Sequence, residues 1–331
     1  MSIVAPGKIR WGILGYARIA REQVMPAIQR SSNSTLGALA SRDGARLKDA
    51  QALFPTLTFH RSYDALLADP TIDAVYIPLP NALHREWTLR AARAGKHILC
   101  EKPMALTAEE SAEMIVAARQ CGVKLMEAFM YRYTHRTRAV IDLLRSGVLG
   151  DIKYVASTFR FLLSNPASIK LRPELGGGAL YDVGCYPVNF IGLVADVAAD
   201  ARLGSVMPES VSGESVRAGG VDMAFSAVLK YSSGLIGSAN CGFNAHGRMF
   251  SEVIGTKGAL EIPDTYLNDP GAMALTTGEG RREIAVTESD RYRAEIEDFA
   301  GAIQENRDPL FSLAETQRNA EVVDRMIAAA G

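Results

Sequence analysis

Short apolar runs alternate with segments of helical periodicity over residues 1–128. The apolar runs predict five strands, at Ile9–Leu14, Thr35–Ala40, Ala74–Ile77, His97–Cys100 and Lys124–Glu127. Helical spacing predicts helices over Ala82–Ala94 and Thr107–Gln120. The second helix begins with a capping box of Thr107 and Glu110 and ends before Gly122. Because strands that are apolar on both faces alternate here with helices, we predict a doubly wound parallel sheet in an α/β protein.

After residue 128 the pattern changes to polar and apolar positions that alternate with a period of two. A helix is predicted first, over His135–Ser146. Met223–Tyr231 then leads through a Ser-Ser-Gly turn into Leu235–Cys241, which predicts a hairpin. Further strands are predicted at Ile152–Phe161, Phe250–Gly255 and Ala259–Ile262, and terminal helices at Arg291–Glu305 and Leu313–Ala329. Since these strands follow one another without helices, residues 129–331 are predicted to form an α+β domain with an open, mostly antiparallel sheet.

The composition is that of an ordinary globular protein, with 331 residues, 48% of them hydrophobic and 22% charged, enough for two domains. The net charge is −1, whereas proteins that bind nucleic acids or anionic membranes usually carry an excess of basic residues. The composition therefore argues against both kinds of partner. No apolar stretch reaches the about 20 residues of a membrane helix. The first residues lack the features of a secretory signal, so we expect a cytoplasmic protein. Its expected partners are small molecules and copies of itself.

The four cysteines, Cys100, Cys121, Cys185 and Cys241, are widely spaced. None belongs to a Cys-x-x-Cys pair or lies near a histidine cluster, a pattern that does not suit structural zinc. We therefore predict reduced, mostly buried thiols and no metal site.

The first predicted strand ends in a loop with small residues at the three positions that a dinucleotide-binding turn requires. Gly15 occupies the tight turn, Ala17 the point where backbone meets pyrophosphate, and Ala20 the contact between helix and sheet. Two of the three usual glycines are thus alanines, a pattern that also suits an ordinary strand–helix turn. The position between the first strand and the first helix favours a cofactor site formed by Gly15, Tyr16, Ala17, Arg18 and Ile19.

The end of the second strand sets the selectivity between NAD and NADP. NAD enzymes usually carry an acidic residue there, which binds the 2′-hydroxyl of the ribose. This chain has Ser41 and Arg42 instead, a hydroxyl and a planar guanidinium that suit a 2′-phosphate. The alternative is a solvated surface arginine, but the position favours NADP(H) as the cofactor.

Two further segments follow apolar strands, at the edge of the sheet where ligands bind in such folds. The first contributes Leu79, Asn81 and His84 as candidate cofactor residues. The second places Glu101 and Lys102 directly after a strand. Lysine is unusual so close to a core without a partner, which marks Lys102 as a candidate for chemistry. For His84, the start of a helix without a chemical role is an equal alternative.

Together these segments resemble the family of glucose–fructose oxidoreductase, inositol dehydrogenase and MocA-like proteins (Gfo/Idh/MocA). The resemblance spans essentially the whole chain and rests on Trp11–Ala20, Pro78–His84, Glu101-Lys102-Pro103, Leu125–Arg132 and Gly176–Pro187. It implies a Rossmann domain at residues 1–128 that binds NADP, and a domain at residues 129–331 that binds substrate and pairs subunits into homodimers or homotetramers. It also implies oxidoreductase activity on sugars, polyols or related carbonyl compounds.

The resemblance further implies roles for single residues. Tyr186 matches the acid/base position and Lys102 the catalytic lysine. Asp182 would be a further catalytic residue that orients the substrate or the lysine, and Arg132 would contact substrate. A free tyrosine has a pKa of about 10, so a cation such as Lys102 is needed to bring it towards working pH. Asp182 and Tyr186 lie four positions apart and should share one face of the helix after the glycines. A purely structural tyrosine is the alternative.

Two departures from the family pattern narrow the expectation. Many members have histidine where Tyr186 stands, so this chain resembles the subgroup of glucose–fructose oxidoreductase, dihydrodiol dehydrogenases and nucleotide-linked ketosugar reductases, which argues against inositol as substrate. Many relatives have Trp-Arg where this chain has Ile169 and Lys170, which keeps one positive charge, that of Lys170, for the cofactor.

The leading hypothesis is an NADP(H)-dependent aldose dehydrogenase or ketosugar reductase. A trans-dihydrodiol dehydrogenase is the alternative among enzymes, and a non-catalytic NADP-sensing regulatory protein is the alternative from another class. Such sensors tend to lose the lysine or the acid/base residue, whereas this chain keeps Lys102 and Tyr186. The substrate pocket is expected to be built by residues of the second domain such as Tyr131, Arg132, Arg160 and Asn189. Their side-chain directions cannot be placed from the sequence, so the substrate and the direction of reaction stay open.

Overall fold

The computed structural model describes residues 7–267 and 269–331. Its strands are β1 (Ile9–Leu14), β2 (Ser34–Ala40), β3 (Thr58–His60), β4 (Ala74–Ile77), β5 (His97–Glu101), β6 (Leu125–Ala128), β7 (Ile152–Leu162), β8 (Ser210–Ala218), β9 (Val221–Lys230), β10 (Ile236–Gly242), β11 (Asn244–Gly255), β12 (Gly258–Pro263), β13 (Gly271–Thr277) and β14 (Gly280–Val286). Its α-helices are α1 (Met25–Arg30), α2 (Gly44–Leu53), α3 (Tyr63–Leu67), α4 (His84–Arg93), α5 (Ala108–Gln120), α6 (His135–Arg145), α7 (Cys185–Ala198), α8 (Arg291–Gln304) and α9 (Leu313–Ala329). None of the helices described is both long and apolar enough to span a membrane.

The first of two compact units contains a six-stranded sheet of order β3-β2-β1-β4-β5-β6, in which neighbouring strands are parallel. The unit consists of the described residues up to Met104 together with Glu110–Met130 and Asp290–Ser312. All four residues of β4 are buried, as its apolar run predicted. The strand order reverses between β1 and β4, which is the switch point where doubly wound sheets bind ligands. The predicted Rossmann sheet is therefore confirmed.

Helix α8 belongs to this unit although it lies far along the chain. The ring of Trp11 in β1 is fully buried, with its centroid 5.8 Å from that of Phe299 in α8. Phe129 and Phe311 form a second such contact, with centroids 5.2 Å apart. The unit is thus discontinuous in sequence. The predicted division instead cuts the chain once, at residue 128, and the assignment of cofactor binding and substrate binding to its two parts stays a prediction.

The second unit contains an eight-stranded sheet of order β14-β13-β12-β11-β7-β10-β9-β8. Strands β7 and β10 pair in parallel, and the other neighbours pair antiparallel, including the predicted hairpin of β9 and β10. Helix α7 packs against β7 and β10, and α9 packs against β8. The predicted mostly antiparallel sheet is confirmed.

Four strands escaped the sequence-based prediction, and each has a physical reason. Strand β3 has only three residues, too few for a periodic pattern. Strands β8, β13 and β14 lie at or next to the sheet ends, and much of β8 and β14 is exposed and polar, so their apolar runs are short. The predicted helix at Ala82–Ala94 begins instead at His84, because Asn81–Leu83 form a 3-10 turn.

Candidate active site

The candidate site residues fall into two groups, one in each compact unit. In the first unit Gly15 follows β1 with a φ of +110°, a backbone conformation that favours glycine. A Cβ at this position would lie 2.9 Å from Cδ2 of Leu79, which belongs to the loop after the neighbouring strand β4. Gly15 is itself buried, and its φ and the close approach of Leu79 both require glycine at the switch point, where a dinucleotide-binding loop is expected.

The rest of the loop leads into a helix that starts with a π turn at Ala20–Val24. Tyr16 and Ala20 are buried, Ala17 and Ile19 are half-buried, and Arg18 is exposed. The burial of Ala20 fits its predicted contact between helix and sheet. Arg18 is therefore the loop residue that brings a charge to the surface.

The two predicted selectivity residues have different surroundings. Ser41 is buried, and its Oγ accepts a hydrogen bond from the N–H of Asp43 at 3.2 Å, which shapes the turn before α2. Arg42 is exposed, and its guanidinium carbon lies 5.4 Å from the ring centroid of Tyr63. Ser41 thus positions the chain, and Arg42 carries the accessible charge.

His84 is completely buried between two backbone carbonyls at the start of α4. Its Nδ1 lies 2.9 Å from the oxygen of Pro103 and its Nε2 2.8 Å from the oxygen of Leu79. Burial lowers the pKa of His84, and the charge of Lys102 lowers it further, against the effect of the two carbonyls. His84 therefore joins the loop after β4 to the turn after β5, and Asn81 lies half-buried in that loop.

Lys102 lies in a turn at the carboxyl end of β5, as predicted. The hydroxyl of Tyr76 in β4 donates a hydrogen bond to the carboxylate of Glu101, and the N–H of Lys102 donates to that carboxylate at 3.3 Å. From β6, Glu127 accepts a hydrogen bond from the N–H of Met104 at 2.9 Å. Side chains of both neighbouring strands thus fix the backbone on either side of Lys102.

A buried carboxyl group that the sequence analysis missed lies on α8, within electrostatic reach of Glu101. Glu295 is 1% exposed, and its Oε1 has no hydrogen-bond partner in the described part of the chain. Burial raises the pKa of Glu295 well above its usual range; Glu101 raises it further, while Arg291 opposes the shift. Burial thus favours the protonated, uncharged form of Glu295 in the folded protein. Because Ile296 and Phe299 are also buried, helical spacing could have placed Glu295 on the inner face of the helix.

Replacing Glu295 with Gln is expected to stabilise the protein progressively more as the pH rises. The unfolded chain releases this proton near pH 4.5, whereas the folded chain retains it, so raising the pH favours unfolding of the parent protein. Relative to the variant, the parent should lose up to about 1.4 kcal/mol of unfolding free energy per pH unit. Urea unfolding at pH values of about 6 and 8 measures the difference.

The exposed Glu305, just after the same helix, provides the matched control. Glu305→Gln also removes one potential negative charge, but it is not expected to show this widening difference. A Glu295→Gln effect that stays constant between the two pH values would show that Glu295 is ionised in the folded protein.

In the second unit the glycine triplet packs against the backbone of residues 170–172. The N–H of Gly178 donates a hydrogen bond to the oxygen of Lys170 at 2.9 Å. A Cβ at Gly177 would lie 2.6 Å from that oxygen, and one at Gly178 would lie 2.2 Å from Oδ1 of Asp222. The glycines are thus required for close packing, which brings Lys170 to the start of the following helix.

Lys170 and Asp182 form an ion pair, with Nζ and Oδ2 2.5 Å apart. The same Nζ lies 5.1 Å from the ring centroid of Phe161. Asp182 lies in a π turn at Leu180–Gly184, whereas Tyr186 lies in α7. The prediction that Asp182 and Tyr186 share one helix face assumed α-helical spacing, which does not apply across the π turn between them. The contact of Lys170 with a cofactor stays a prediction.

Tyr186 is 4% exposed and lies in a cluster of aromatic rings. Its ring centroid is 5.9 Å from that of Tyr131, 5.3 Å from Phe159 and 5.1 Å from Tyr266. Burial raises the pKa of Tyr131 and of Tyr266 well above the usual range. These two hydroxyls therefore stay protonated at neutral pH, and the acid/base role stays predicted for Tyr186.

Two arginines expected near the substrate have protein partners. Arg132 is buried in an ion pair with Glu315, the two side chains being 2% and 0% exposed. Arg160 donates hydrogen bonds to Asn240 and, at 3.2 Å, to Asn244. Arg132 therefore has a structural role inside the second unit, and its contact with substrate stays a prediction. Among residues 7–267 and 269–331, no group of three or more His, Cys, Asp or Glu side chains is arranged to hold a metal ion.

Comparison with known proteins places this geometry in a family. Residues 9–129 match the family model described as "Oxidoreductase family, NAD-binding Rossmann fold" (GFO_IDH_MocA), and residues 137–261 match the GFO/IDH/MocA C-terminal domain. The chain is 38% identical to D-xylose 1-dehydrogenase (NADP(+)) 2 of Haloferax volcanii over 97% of each chain. It is 32% identical to dTDP-3,4-didehydro-2,6-dideoxy-alpha-D-glucose 3-reductase of Streptomyces violaceoruber, over 97% of this chain and 95% of the relative.

A solved structure agrees over the full length. The 3-ketoreductase of Actinomadura kijaniata, in complex with NADP and TDP-benzene, superposes with a TM-score of 0.90 at 28% identity over 98% of each chain. The match therefore includes both the parallel sheet and the mostly antiparallel one. The chain belongs to the GFO/IDH/MocA family of oxidoreductases.

Proposed function

We propose that this protein is an NADP(H)-dependent oxidoreductase that transfers a hydride between nicotinamide and a sugar, or a sugar-derived carbonyl or hydroxyl group. The observation that carries the proposal is the exposed Arg42 at the end of β2, in a family member whose switch point has the positive-φ turn of Gly15. The relative named as an NADP-dependent D-xylose dehydrogenase and the ketoreductase bound to NADP support the same cofactor and substrate class.

The residues of the first unit fit this cofactor. The positive φ of Gly15 forms the tight turn that a dinucleotide-binding loop requires, and Arg42 has the charge and planar shape that a 2′-phosphate requires. When bound, NADP(H) supplies or accepts the hydride. The other residues proposed to bind it are Tyr16, Ala17, Arg18, Ile19, Ser41, Leu79, Asn81, His84, Glu101, Lys102 and Lys170.

Proton transfer is proposed for Tyr186. In reduction its hydroxyl gives a proton to the developing alkoxide, and in oxidation its oxygen takes the proton of the substrate hydroxyl. The surrounding rings hold the tyrosine in one orientation. Lys102 is proposed to stabilise negative charge on the substrate oxygen, and Asp182, held by Lys170, to orient the substrate.

A trans-dihydrodiol dehydrogenase is the second candidate, and the aromatic cluster is equally compatible with it. Phe159 is half-buried, and the rings of Tyr131 and Tyr266 lie around Tyr186. Aromatic rings pack against an unsaturated carbocycle as readily as against the apolar face of a sugar.

A homodimer or homotetramer in the cytoplasm, without a nucleic-acid partner, belongs to the same proposal. The net charge of −1 supports the lack of nucleic acid. Exposed apolar side chains such as Val216 of β8 and Val228 of β9 support pairing through the second sheet.

A substrate panel followed by NADPH absorbance tests the function. Aldoses such as xylose and glucose are offered with NADP, ketosugars with and without a nucleotide are offered with NADPH, and a trans-dihydrodiol is offered with NADP. Turnover of a sugar, faster with NADP(H) than with NAD(H), is expected. Turnover of the dihydrodiol alone would favour the second candidate. Tight NADPH binding without turnover of any compound would favour the regulatory alternative.

A further inference from the structure

Arg42 lies on the ring of Tyr63, a residue to which none of the motifs assigns a role. The guanidinium carbon is 5.4 Å from the ring centroid, inside the about 6 Å range of cation–π contacts. Tyr63 begins α3 and is 6% exposed, whereas Arg42 is exposed. A guanidinium that faces solvent therefore lies on a ring that is itself anchored in the interior.

The orientation of the Tyr63 ring is fixed by its neighbours. Trp87 of α4 meets it edge-on, with centroids 4.8 Å apart and planes at 85°. Arg90 stacks on Trp87 and pairs with Asp64 at 2.8 Å, which ties α4 to α3. The hydroxyl of Tyr63 also lies 3.6 Å from the position that a Cβ at Gly15 would occupy. One ring thus contacts the selectivity arginine and approaches the dinucleotide loop.

The charge of Arg42 is accessible to an anion. Within residues 7–267 and 269–331, Arg42 forms no ion pair with a carboxylate. The adjacent Asp43 instead caps α2, where it accepts hydrogen bonds from the N–H groups of Ala45 and Arg46 at 2.9 and 3.3 Å. The surroundings therefore restrict how Arg42 moves without neutralising it.

We propose that Tyr63 is a positioning residue for NADP specificity, which holds the Arg42 guanidinium ready for the 2′-phosphate. The inference rests on the proposed NADP dependence and deepens it. A free arginine side chain loses rotamer freedom when it binds a phosphate, and this loss weakens binding. Because the ring restricts Arg42 before the cofactor arrives, less freedom is lost on binding.

Substitutions at Tyr63 separate this role from general packing. Tyr63→Leu keeps apolar bulk but removes the aromatic face, and it is expected to weaken NADPH binding about three- to fivefold. NADH binding should not change, because NADH has no 2′-phosphate. The matched control Tyr63→Phe keeps the ring and should bind both nucleotides as the parent does. Arg42→Ala should weaken NADPH binding about tenfold or more, again without an effect on NADH.

The double variant Arg42→Ala/Tyr63→Leu is expected to bind NADPH no more weakly than Arg42→Ala alone, since Tyr63 acts through Arg42. Isothermal titration calorimetry with NADPH and NADH measures all five proteins without reference to turnover. Equal weakening of NADH and NADPH by Tyr63→Leu, or a Tyr63→Leu effect that persists without Arg42, would overturn the inference and leave the NADP assignment standing. A parent protein that binds NADH as tightly as NADPH would overturn the NADP assignment itself.

Discussion

Replacing Tyr186 with Phe is expected to lower kcat/KM by about a hundredfold or more, because the variant lacks the hydroxyl that transfers the proton. The change removes one oxygen from a ring that is 4% exposed and packed among three others. Since the ring itself remains, the fold should be retained. NADPH affinity, measured by calorimetry, should stay at the parent value, while turnover of the best sugar of the panel falls.

Tyr266→Phe is the matched control, because Tyr266 lies in the same aromatic cluster and also loses only a hydroxyl. That hydroxyl is hydrogen-bonded to Ser157 in the interior, and burial raises its pKa above the usual range, which makes it a weaker acid than an ordinary tyrosine. We expect Tyr266→Phe to reduce stability modestly and to keep most of the turnover. Unchanged turnover in Tyr186→Phe, or an equal loss in both variants, would refute the acid/base assignment.

Much of the first sheet could be predicted from the sequence, because its central strands are buried on both faces. The bounds of β1 and β4 agree with the prediction residue for residue, since β4 is an uninterrupted apolar run and β1 is interrupted only by the half-buried Arg10. The same reasoning fails for β8, where exposed and half-buried positions carry serines and charged side chains. Only pairing with β9 gives that segment its extended form, and a partner distant in sequence leaves no local pattern.

The site was predictable where backbone geometry demands a residue type. Gly15 and the glycine triplet stand out because any Cβ would collide with neighbours or require a strained φ. Tyr63 left no such signal, since its contact with Arg42 depends on how α3 lies beside the end of β2. For Arg132 the charge pointed to a ligand, and its real partner, Glu315, lies 183 positions along the chain. Charges that meet across such separations cannot be paired by inspection of the sequence.

The second large effect is expected at a buried ion pair between α7, the helix that carries Tyr186, and α9. Asp196 of α7 and Arg318 of α9 are in contact, and their side chains are 0% and 2% exposed. Asp196 also accepts hydrogen bonds from the N–H groups of Gly204 and Val206 at 2.7 and 2.9 Å. Arg318 passes so close to α7 that a Cβ at Gly192 would lie 2.5 Å from its guanidinium carbon. The pair therefore ties α9 to α7, and neither charge can reach water if its partner is removed.

Asp196→Ala is accordingly expected to lower the free energy of unfolding by about 3–5 kcal/mol, because it leaves the buried Arg318 charge without its carboxylate and the N–H groups of Gly204 and Val206 without their acceptor. Asp196→Asn should lose less, since the amide oxygen still accepts one hydrogen bond. Asp151→Ala breaks the exposed pair with Lys153 and should change stability by less than about 1 kcal/mol. Urea unfolding of the four proteins gives the order parent, Asp151→Ala, Asp196→Asn, Asp196→Ala. Equal stability of Asp196→Ala and Asp151→Ala would contradict this prediction. It would mean that water reaches Arg318 in the variant and that the ion pair does not hold α9 against α7.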